Sequence, residues 1–250
     1  MTHLAAIILT YNEAEHIQAC VESVCFADSV LVFDSYSTDE TVELAQNTGA
    51  EVIQNTFHNY AQQRNDALTA VTERAGWVLF VDADERVTPE LATEIRGAME
   101  RPDYAGWAIP RHNYIFGKLT LGAGWYPDYQ TRLLRVGAAR YDPTRQVHEV
   151  VQLDGAEGKL ENPLVHYNYT DMAQFVAKQH KYTTYEAQVM YEQGIRPKPQ
   201  NYILQPLRHF RYRFFTLNGY QIGLHGLRLS LLMSWYELKK YLVLRRLWRG

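Results

Sequence analysis

Three acidic side chains stand within four positions, directly after a run of apolar residues. The run Val78–Val81 leads into Asp82, Asp84 and Glu85. Like charges this close repel one another, and carboxylates are seldom buried unless a positive group pairs with them. The neighbouring sequence holds too few basic residues to neutralise all three, so we expect a positive partner from outside the chain.

The spacing of Asp82 and Asp84 suits a divalent cation. Residues two apart at the end of a strand point to the same side. Mg²⁺ takes one or two protein carboxylates, keeps several waters and gains oxygens from substrate phosphates. The pattern therefore favours a metal held by Asp82 and Asp84 and shared with a diphosphate. The alternative is a solvated acidic turn before a helix, and Glu85 and Glu90 fit that description.

Two further polar loops follow predicted strands. The strand-like segments Leu4–Thr10 and Ser29–Asp34 are followed by TYNE (10–13) and DSYSTD (34–39). In open α/β sheets, ligands bind beyond the carboxyl ends of parallel strands, where such loops meet. Three polar loops on one edge indicate a binding site more strongly than any single loop does.

Apolar β-rich runs alternate with helical patterns, which predicts an α/β fold with a mostly parallel sheet and helices on both faces. The predicted strands are Leu4–Thr10, Ser29–Asp34, Ala50–Gln54, Trp77–Val81, Gly106–Phe116 and Gln130–Val136. Helices are predicted over Tyr60–Val71 and Asp171–Gln193, and another begins with Thr88 as its cap and Pro89 as its first residue. The residues Asn12, Ser37 and Thr170 are expected to cap helices.

Two other enzyme classes place an aspartate after a strand. Phosphatases of the haloacid dehalogenase type use D-x-D-x-[T/V] near the start of the chain, whereas here Arg86 takes the last position and the motif follows the fourth strand. Dinucleotide dehydrogenases carry an acid where Asp34 stands, but they need G-x-G-x-x-G after the first strand, and TYNEAE has no glycine. A P-loop sequence is also absent.

The ordered set of motifs resembles family-2 glycosyltransferases with the GT-A fold, and most closely the branch of lipopolysaccharide-core glucosyltransferases. The resemblance extends over essentially the whole chain. It rests on TYNE (10–13), DSYSTDET (34–41), VDADERVTPEL (81–91), GWYPDYQTRLLR (124–135) and VHE (147–149). Tyr36 stands where we expect this family to carry a glycine or another small residue.

The resemblance implies that these segments bind a nucleotide-diphosphate sugar, with a UDP-sugar favoured. Asp84 would bind Mg²⁺ or Mn²⁺ directly, and Asp82 would hold the ribose or reach the metal through water. Glu13 and Asp34 would contact the base or the ribose. The metal would stabilise charge on the departing nucleoside diphosphate. The residues expected to contact the donor are Thr10, Tyr11, Asn12, Glu13, Asp34, Ser35, Arg64, Asp82, Ala83, Asp84, Trp125, Gln130 and Arg132.

Two residues of the expected site have an equally simple structural interpretation. Arg64 lies on a predicted helix whose face is also compatible with solvent exposure. His148 is a candidate third metal ligand, because some GT-A enzymes use a late histidine, but a lone histidine more often has a structural role.

Transfer by direct displacement at the anomeric carbon inverts its configuration and requires a base for the acceptor hydroxyl. The first candidate is Asp128 in WYPDYQTRLL, because family members often carry an aspartate just before an R-L strand. The second is Glu149 in VHE. The alternative for Asp128 is a turn carboxylate paired with Arg111 or Arg132.

The charge of the chain is unevenly distributed. Residues 196–250 contain 11 Lys and Arg but one acid, Glu237, whereas the remaining residues carry 14 basic and 27 acidic groups. Basic and aromatic residues interleave over 201–250, which is typical of a surface that lies on an anionic bilayer. Packing on the catalytic domain or contact within a homo-oligomer is the alternative. A nucleic acid partner is not expected, because the rest of the chain is acidic and carries no recognised nucleic-acid-binding motif.

The remaining composition favours a cytosolic location. Cys20 and Cys25 are the only cysteines, so no disulfide framework is expected. The N-terminal segment lacks the features of a secretory signal, and the longest apolar stretch, 224–244, is interrupted by charges. We therefore predict a cytoplasmic protein that is peripheral on the inner face of the cytoplasmic membrane.

Together these patterns predict a GT-A catalytic domain over 1–195, with a nucleotide-sugar half over about 1–103 and an acceptor half over about 104–195. A basic, aromatic-rich helical extension is predicted over 196–250. The predicted activity is metal-dependent, inverting transfer of a hexose to a saccharide or lipid-linked acceptor in cell-envelope polysaccharide or lipopolysaccharide biosynthesis. The alternatives are a non-catalytic nucleotide-sugar-binding protein and, less favoured, a haloacid-dehalogenase-type phosphatase.

Overall fold

The computed structural model describes residues 2–143 and 151–249, and the chain divides into two compact units. Unit 1 consists of residues 1–111 and 129–166, and unit 2 consists of residues 112–128 and 167–250. The predicted domain boundary at residue 195 falls inside unit 2 and remains a prediction.

A mixed sheet whose first four strands are parallel forms the centre of unit 1. The strands of the chain are β1 (Leu4–Thr10), β2 (Ser29–Asp34), β3 (Glu51–Gln54), β4 (Trp77–Asp82), β5 (Glu85–Arg86), β6 (Tyr104–Ile115), β7 (Lys118–Leu119), β8 (Tyr129–Arg135), β9 (Ala139–Tyr141), β10 (Val151–Leu153), β11 (Ala156–Lys159) and β12 (Leu164–Tyr169). Their order across the sheet is β3-β2-β1-β4-β8-β6-β12-β5. Strands β1 to β4 pair in parallel, and β8 is antiparallel to both β4 and β6.

Helices cover both faces of this sheet, as predicted. They are α1 (Ile17–Ser23), α2 (Thr41–Asn47), α3 (Tyr60–Val71) and α4 (Pro89–Met99). Because successive strand residues point to opposite faces, Ala6 and Ile8 of β1 share an apolar core with α1, α2 and α4. Ala5 and Ile7 share the other core with α3. Each fully buried isoleucine stabilises the fold by about 1.5–3 kcal/mol. The alternation in β1 therefore holds a helical layer on each face of the sheet.

The helix caps follow the predictions only in part. The hydroxyl of Thr88 accepts a hydrogen bond from the backbone N–H of Leu91 at 3.2 Å, so the predicted start of α4 is confirmed. The cap predictions for Asn12 and Ser37 are wrong, since α1 and α2 begin later and neither has a side-chain cap. Both side chains bond between loops instead.

Unit 2 is mainly helical. Its helices are α5 (Met172–Glu192), α6 (Asn201–Arg211) and α7 (Gly223–Leu247), with a π-helical segment (Tyr212–Thr216) and a 3₁₀ turn (Gly219–Ile222) between α6 and α7. The predicted helical C-terminal extension is confirmed. The cap prediction for Thr170 is wrong, because Asp171 accepts the hydrogen bond from the N–H of Gln174 at 2.8 Å. Within the described ranges, α7 and every other helix lack the combination of length and apolar composition needed to cross a bilayer.

The core of unit 2 is rich in aromatic rings. Phe175 of α5 lies edge-to-face against Tyr236 of α7, with ring centroids 6.0 Å apart, and Leu229 fills the same core. Gly226 of α7 lies in close contact with the backbone of Gly219. A Cβ at Gly226 of α7 would lie 1.9 Å from the carbonyl oxygen of Gly219, so only glycine fits there.

Candidate active site

Hydrogen bonds tie the first loop (10–13) to the second loop (34–39). The backbone N–H of Asn12 donates to the hydroxyl of Ser37 at 2.8 Å, and the N–H of Thr38 donates to the Asn12 side-chain oxygen at 2.8 Å. Asn12 has a φ of 55°, a left-handed conformation that asparagine tolerates better than most residues. The side chain that is expected to start a helix instead holds two loops together at the carboxyl ends of β1 and β2.

Asp34 organises the second loop from inside the protein. Its carboxylate accepts hydrogen bonds from the Ser37 N–H at 2.9 Å, from the Ser37 hydroxyl, and from the Gln54 amide at 3.0 Å. Asp34 has no exposed surface. The hydroxyl of neighbouring Ser35 accepts a hydrogen bond from the side-chain amide of Gln63 at 2.7 Å. The predicted contact of Asp34 with a base or ribose therefore remains a prediction.

Exposed aromatic rings accompany these two loops. Tyr11 is 57% exposed and Tyr36 is 53% exposed. Tyr36 has a φ of 61°, which explains why a glycine is expected at this position. Thr10 is buried, and its hydroxyl has no hydrogen-bond partner among the described residues. Glu13 is half-buried.

The third loop (82–85) receives arginines from distant parts of the sequence. Arg132 of β8 donates to Asp82 through both terminal nitrogens, one of them at 3.3 Å, and Arg64 of α3 lies 3.4 Å from the same carboxylate. The expectation that this loop lacks positive charge from the chain is wrong for Asp82. The local sequence could not reveal these partners, because both come from other secondary-structure elements.

Glu85 is a structural residue of the same network. It is fully buried, and its carboxylate lies 3.0 Å from Arg132 and 3.3 Å from Arg111. It also accepts a hydrogen bond from the backbone N–H of Asp82 at 3.0 Å. Its interpretation as a solvated turn residue is therefore wrong, since its charge is used to hold the turn against β6 and β8.

The arginines determine the charge state of Asp82. Burial would raise the pKa of Asp82, but the charges of Arg132 and Arg64 outweigh it and hold the pKa well below the usual range. Burial would lower the pKa of Arg132, but Asp82 and Glu85 raise it above its ordinary value. Asp82 is thus an ionised acceptor whose oxygens already receive guanidinium donors. This makes it a poor direct ligand for a metal.

Asp84 differs from its neighbours in its partner. Its carboxylate lies 3.4 Å from Nε2 of His166 on β12, and its side chain is 22% exposed. No arginine or lysine in the described part of the chain pairs with it. The sequence assigned His166 no role, and no local signal marks this pairing because the two residues are far apart in the sequence.

The donor set around Asp84 fits a cation that is shared with a ligand. Among the described residues, no group of three or more His, Cys, Asp and Glu side chains could hold a metal by itself. Mg²⁺ is usually held by one or two carboxylates together with substrate phosphates. A single available carboxylate such as Asp84, backed by His166, matches that mode of binding.

Arg86 connects the third loop to the start of α1. Its side chain donates to the carbonyl oxygen of Ala83 at 2.7 Å and to that of His16 at 3.0 Å. Ala83 is buried, so it can offer a ligand only its backbone. Gln130 of β8 is half-buried. The three loops and these supporting residues are brought together at one edge of unit 1.

Asp128 and Trp125 lie in unit 2 and share one anchor. The side-chain amide of buried Asn113 donates to a carboxylate oxygen of Asp128 at 3.2 Å and to the carbonyl oxygen of Trp125 at 2.8 Å. The Trp125 ring packs edge-to-face on Tyr169, with centroids 5.8 Å apart. The predicted roles of both residues stay predictions. Glu149 and His148 lie outside the described residues.

Comparisons with known proteins point in one direction. A family model described as "Glycosyl transferase family 2" matches residues 5–142. The chain is 30% identical over 237 residues to "Lipopolysaccharide core biosynthesis glycosyltransferase LpsC" of Rhizobium meliloti (strain 1021), covering 89% of this chain and 84% of that protein. It is 28% identical over 258 residues to an "Uncharacterized glycosyltransferase" of Rickettsia bellii (strain RML369-C), covering 98% of this chain and 86% of that protein.

Two solved structures share the fold. S. aureus TarS 1-349 in complex with UDP-GlcNAc has a TM-score of 0.51 at 13% identity, over 99% of this chain and 92% of that one. A mycobacterial protein has a TM-score of 0.50 at 16% identity, over 79% of this chain and 76% of that one. The predicted GT-A fold is confirmed.

Proposed function

Because this chain belongs to glycosyl transferase family 2, we propose that it moves a hexose from a nucleotide-diphosphate sugar to a hydroxyl group of a lipid-linked saccharide. The proposed donor is a UDP-sugar. The proposed acceptor class is the lipopolysaccharide core, and it is supported by the name of the relative LpsC. The proposed location is the inner face of the cytoplasmic membrane.

The observation that carries this proposal is that two neighbouring aspartates, Asp82 and Asp84, have different ion-pair partners. Asp82 is neutralised by Arg132 and Arg64, whereas Asp84 faces His166 alone among the described basic and imidazole groups. A purely structural acidic turn gives no reason for this difference. A site for a shared Mg²⁺ or Mn²⁺ does, because a carboxylate that already binds arginines cannot also serve a cation well.

In the proposed site Asp84 holds the metal and His166 keeps its carboxylate oriented. When bound, the metal supplies charge stabilisation for the departing nucleoside diphosphate. Asp82 is held ionised, and its side chain is 34% exposed, so it can accept a hydrogen bond from a ribose hydroxyl. The first and second loops, fixed by Asn12, bind the base and ribose.

The proposed reaction is a direct displacement with inversion. The acceptor hydroxyl loses its proton to a carboxylate within hydrogen-bond reach. Asp128 is the first choice, because Asn113 fixes one of its oxygens, and Glu149 is the second.

A panel of nucleotide sugars, titrated by calorimetry with Mn²⁺ and with a chelator, tests the donor site. We expect UDP-sugars to bind more tightly with Mn²⁺, and Asp84→Asn to remove that metal-dependent gain. Glu90→Gln, a change of an exposed acid nearby, is the matched control and should keep it. If Asp84→Asn responds to Mn²⁺ as the wild type does, the proposed metal site is wrong.

Release of UDP in the presence of acceptor separates turnover from binding. Asp128→Asn should keep donor affinity and lose transfer by about 10²–10⁴-fold, the usual contribution of a general base. Transfer at the wild-type rate would exclude Asp128 and make Glu149 the base to test. Donor binding without any acceptor-dependent release would identify a binding protein instead of an enzyme.

A further inference from the structure

The exposed side of α7 carries a straight line of apolar side chains. Leu224, Leu231, Trp235 and Leu242 recur at steps of seven, four and seven residues, which places them on one side of a helix. Their exposed fractions are 85%, 53%, 51% and 38%. The opposite side of the helix supplies the core of unit 2. An apolar line left exposed along a helix of 25 residues marks an interaction surface.

The charged residues that flank this line, which we call the α7 stripe, are cations. Arg228 and Lys239 lie beside it on the same side of the helix. The one acid of α7, Glu237, is turned away from the stripe and is already paired with Lys240 at 2.8 Å and with His209 at 3.4 Å. Beyond the last residue of the stripe, Leu242, the chain carries three more cations, Arg245, Arg246 and Arg249.

Two basic cavities open where α6 meets the C-terminal end of α7. Their volumes are about 360 and 500 Å³, and Arg196 lines both. The cations in their walls are Arg196, Lys198, Arg208, Arg245 and Arg249. The walls contain no acidic residue, and the described residues provide no ion-pair partner for these five cations. Tyr241 lines the first cavity and Trp248 the second, and the Arg196 guanidinium lies 4.4 Å from the centroid of the Trp248 ring.

We propose that unit 2 docks on an anionic bilayer through the α7 stripe and that the two basic cavities bind lipid phosphate groups. Apolar side chains beside cations are the composition of helices that lie in the membrane interface. Each cation near an anionic surface strengthens binding about fivefold. The inference refines the proposed membrane location and does not depend on sugar transfer.

Charge favours a bilayer over a second copy of the chain. A two-fold contact places the same patch of both copies face to face. Along the α7 stripe, Arg228 and Lys239 would then meet cations of the other copy, and the stripe offers no acid to pair with them. Phospholipid headgroups supply the missing negative charge.

Flotation of the full chain with vesicles tests this surface. We expect the wild type to float with vesicles of phosphatidylglycerol and phosphatidylcholine but not with phosphatidylcholine alone, and to bind less at 0.5 M salt. Arg245→Gln with Arg249→Gln should weaken binding about 25-fold. Lys181→Gln, an exposed cation on α5, is the control for charge and should bind within about fivefold of the wild type.

The apolar part of the surface has its own variant. Leu231→Ser with Trp235→Ser should weaken vesicle binding at least 10-fold, because both side chains enter the interface. Val176→Ser, at a residue that is 42% exposed on α5, is the matched control and should bind as the wild type does. All four variants change exposed side chains, and their thermal melting should stay close to that of the wild type.

Three results would overturn the proposal. One is flotation with anionic vesicles that neither double variant reduces. Another is equal binding to neutral vesicles. The third is a wild type that does not float but sediments as a dimer that Leu231→Ser with Trp235→Ser dissociates, which would identify a second copy as the occupant. UDP binding is measured on the same samples, so that failure of membrane docking and failure of the donor site are distinguished.

Discussion

Replacing Arg132 with methionine removes the cation that Asp82 and Glu85 share. Methionine keeps much of the side-chain length but carries no charge and no donor. Arg132 is 6% exposed and Glu85 is fully buried, so water cannot replace the hydrogen bond that Glu85 loses. The change therefore leaves buried negative charge with weaker compensation, and we expect a substantial loss of stability.

The magnitude follows from the partners that remain. Removing one member of a buried ion pair costs about 3–5 kcal/mol. Arg64 still lies 3.4 Å from Asp82, and Arg111 still lies 3.3 Å from Glu85, so each carboxylate keeps one cation. We expect the lower end, about 3 kcal/mol in the free energy of unfolding, or a fall in Tm of about 6–12 °C for a chain of this size.

The loss should depend on pH. In the wild type the folded-state pKa of Asp82 is lowered, so its contribution to stability is present above the ordinary aspartate pKa and is lost only as the pH falls through the folded value. Without Arg132, only Arg64 and Arg111 oppose the effect of burial, which raises the pKa of Asp82, so its folded-state pKa rises. The difference between variant and wild type should then be full at neutral pH and shrink as the pH falls through the ordinary aspartate range toward about pH 3.

Urea unfolding followed by circular dichroism at pH 7 and at about pH 3 measures both effects. Arg74→Met is the matched control, because Arg74 and Glu51 form a 3.0 Å pair in which both side chains are more than half exposed. It should change the free energy of unfolding by less than about 1 kcal/mol. A loss for Arg132→Met that is as small as the control, or that is equal at both pH values, would refute this account of the third loop.

Three smaller predictions concern single positions. Tyr36→Gly should be neutral or stabilise the protein by up to about 1 kcal/mol in urea unfolding, because the left-handed φ of 61° is unfavourable for tyrosine, whereas Tyr36→Ala should bring no gain. Burial raises the pKa of Cys20 well above its ordinary value, so a thiol reagent at pH 7–8 should label exposed Cys25 alone until the protein is unfolded, as mass spectrometry would show. Gly226→Ala should lower the free energy of unfolding by about 1–3 kcal/mol, because its Cβ meets the Gly219 carbonyl oxygen, and equal stability would contradict that close contact.

Much of the fold could be predicted from local sequence. The strands β1 and β2 and the helix α3 have the predicted bounds, because continuous apolar runs and helical spacing are local properties. The start of α4 at Thr88 and Pro89 is also a local signal. These elements place the ends of β1, β2 and β4, and hence the three loops, where the sequence predicts them.

The partners inside the site could not be predicted. Asn12 and Ser37 have the residue types of helix caps, but each finds its hydrogen bonds in the other loop. The arginines of the third loop come from α3 and β8, and His166 comes from β12. A single sequence does not show which distant side chains meet, so it could identify the acids but not their neutralisation.

The bonds between Asn12, Ser37 and Thr38 make the conformations of the first and second loops depend on each other. Exchanging the first loop alone for a segment without Asn12 would remove the oxygen that accepts from the Thr38 N–H, and exchanging the second loop alone for a segment without Ser37 would remove the hydroxyl that accepts from the Asn12 N–H. Engineering a new donor preference at this edge therefore requires transplanting both segments together, and mutant libraries should vary residues 12, 37 and 38 jointly.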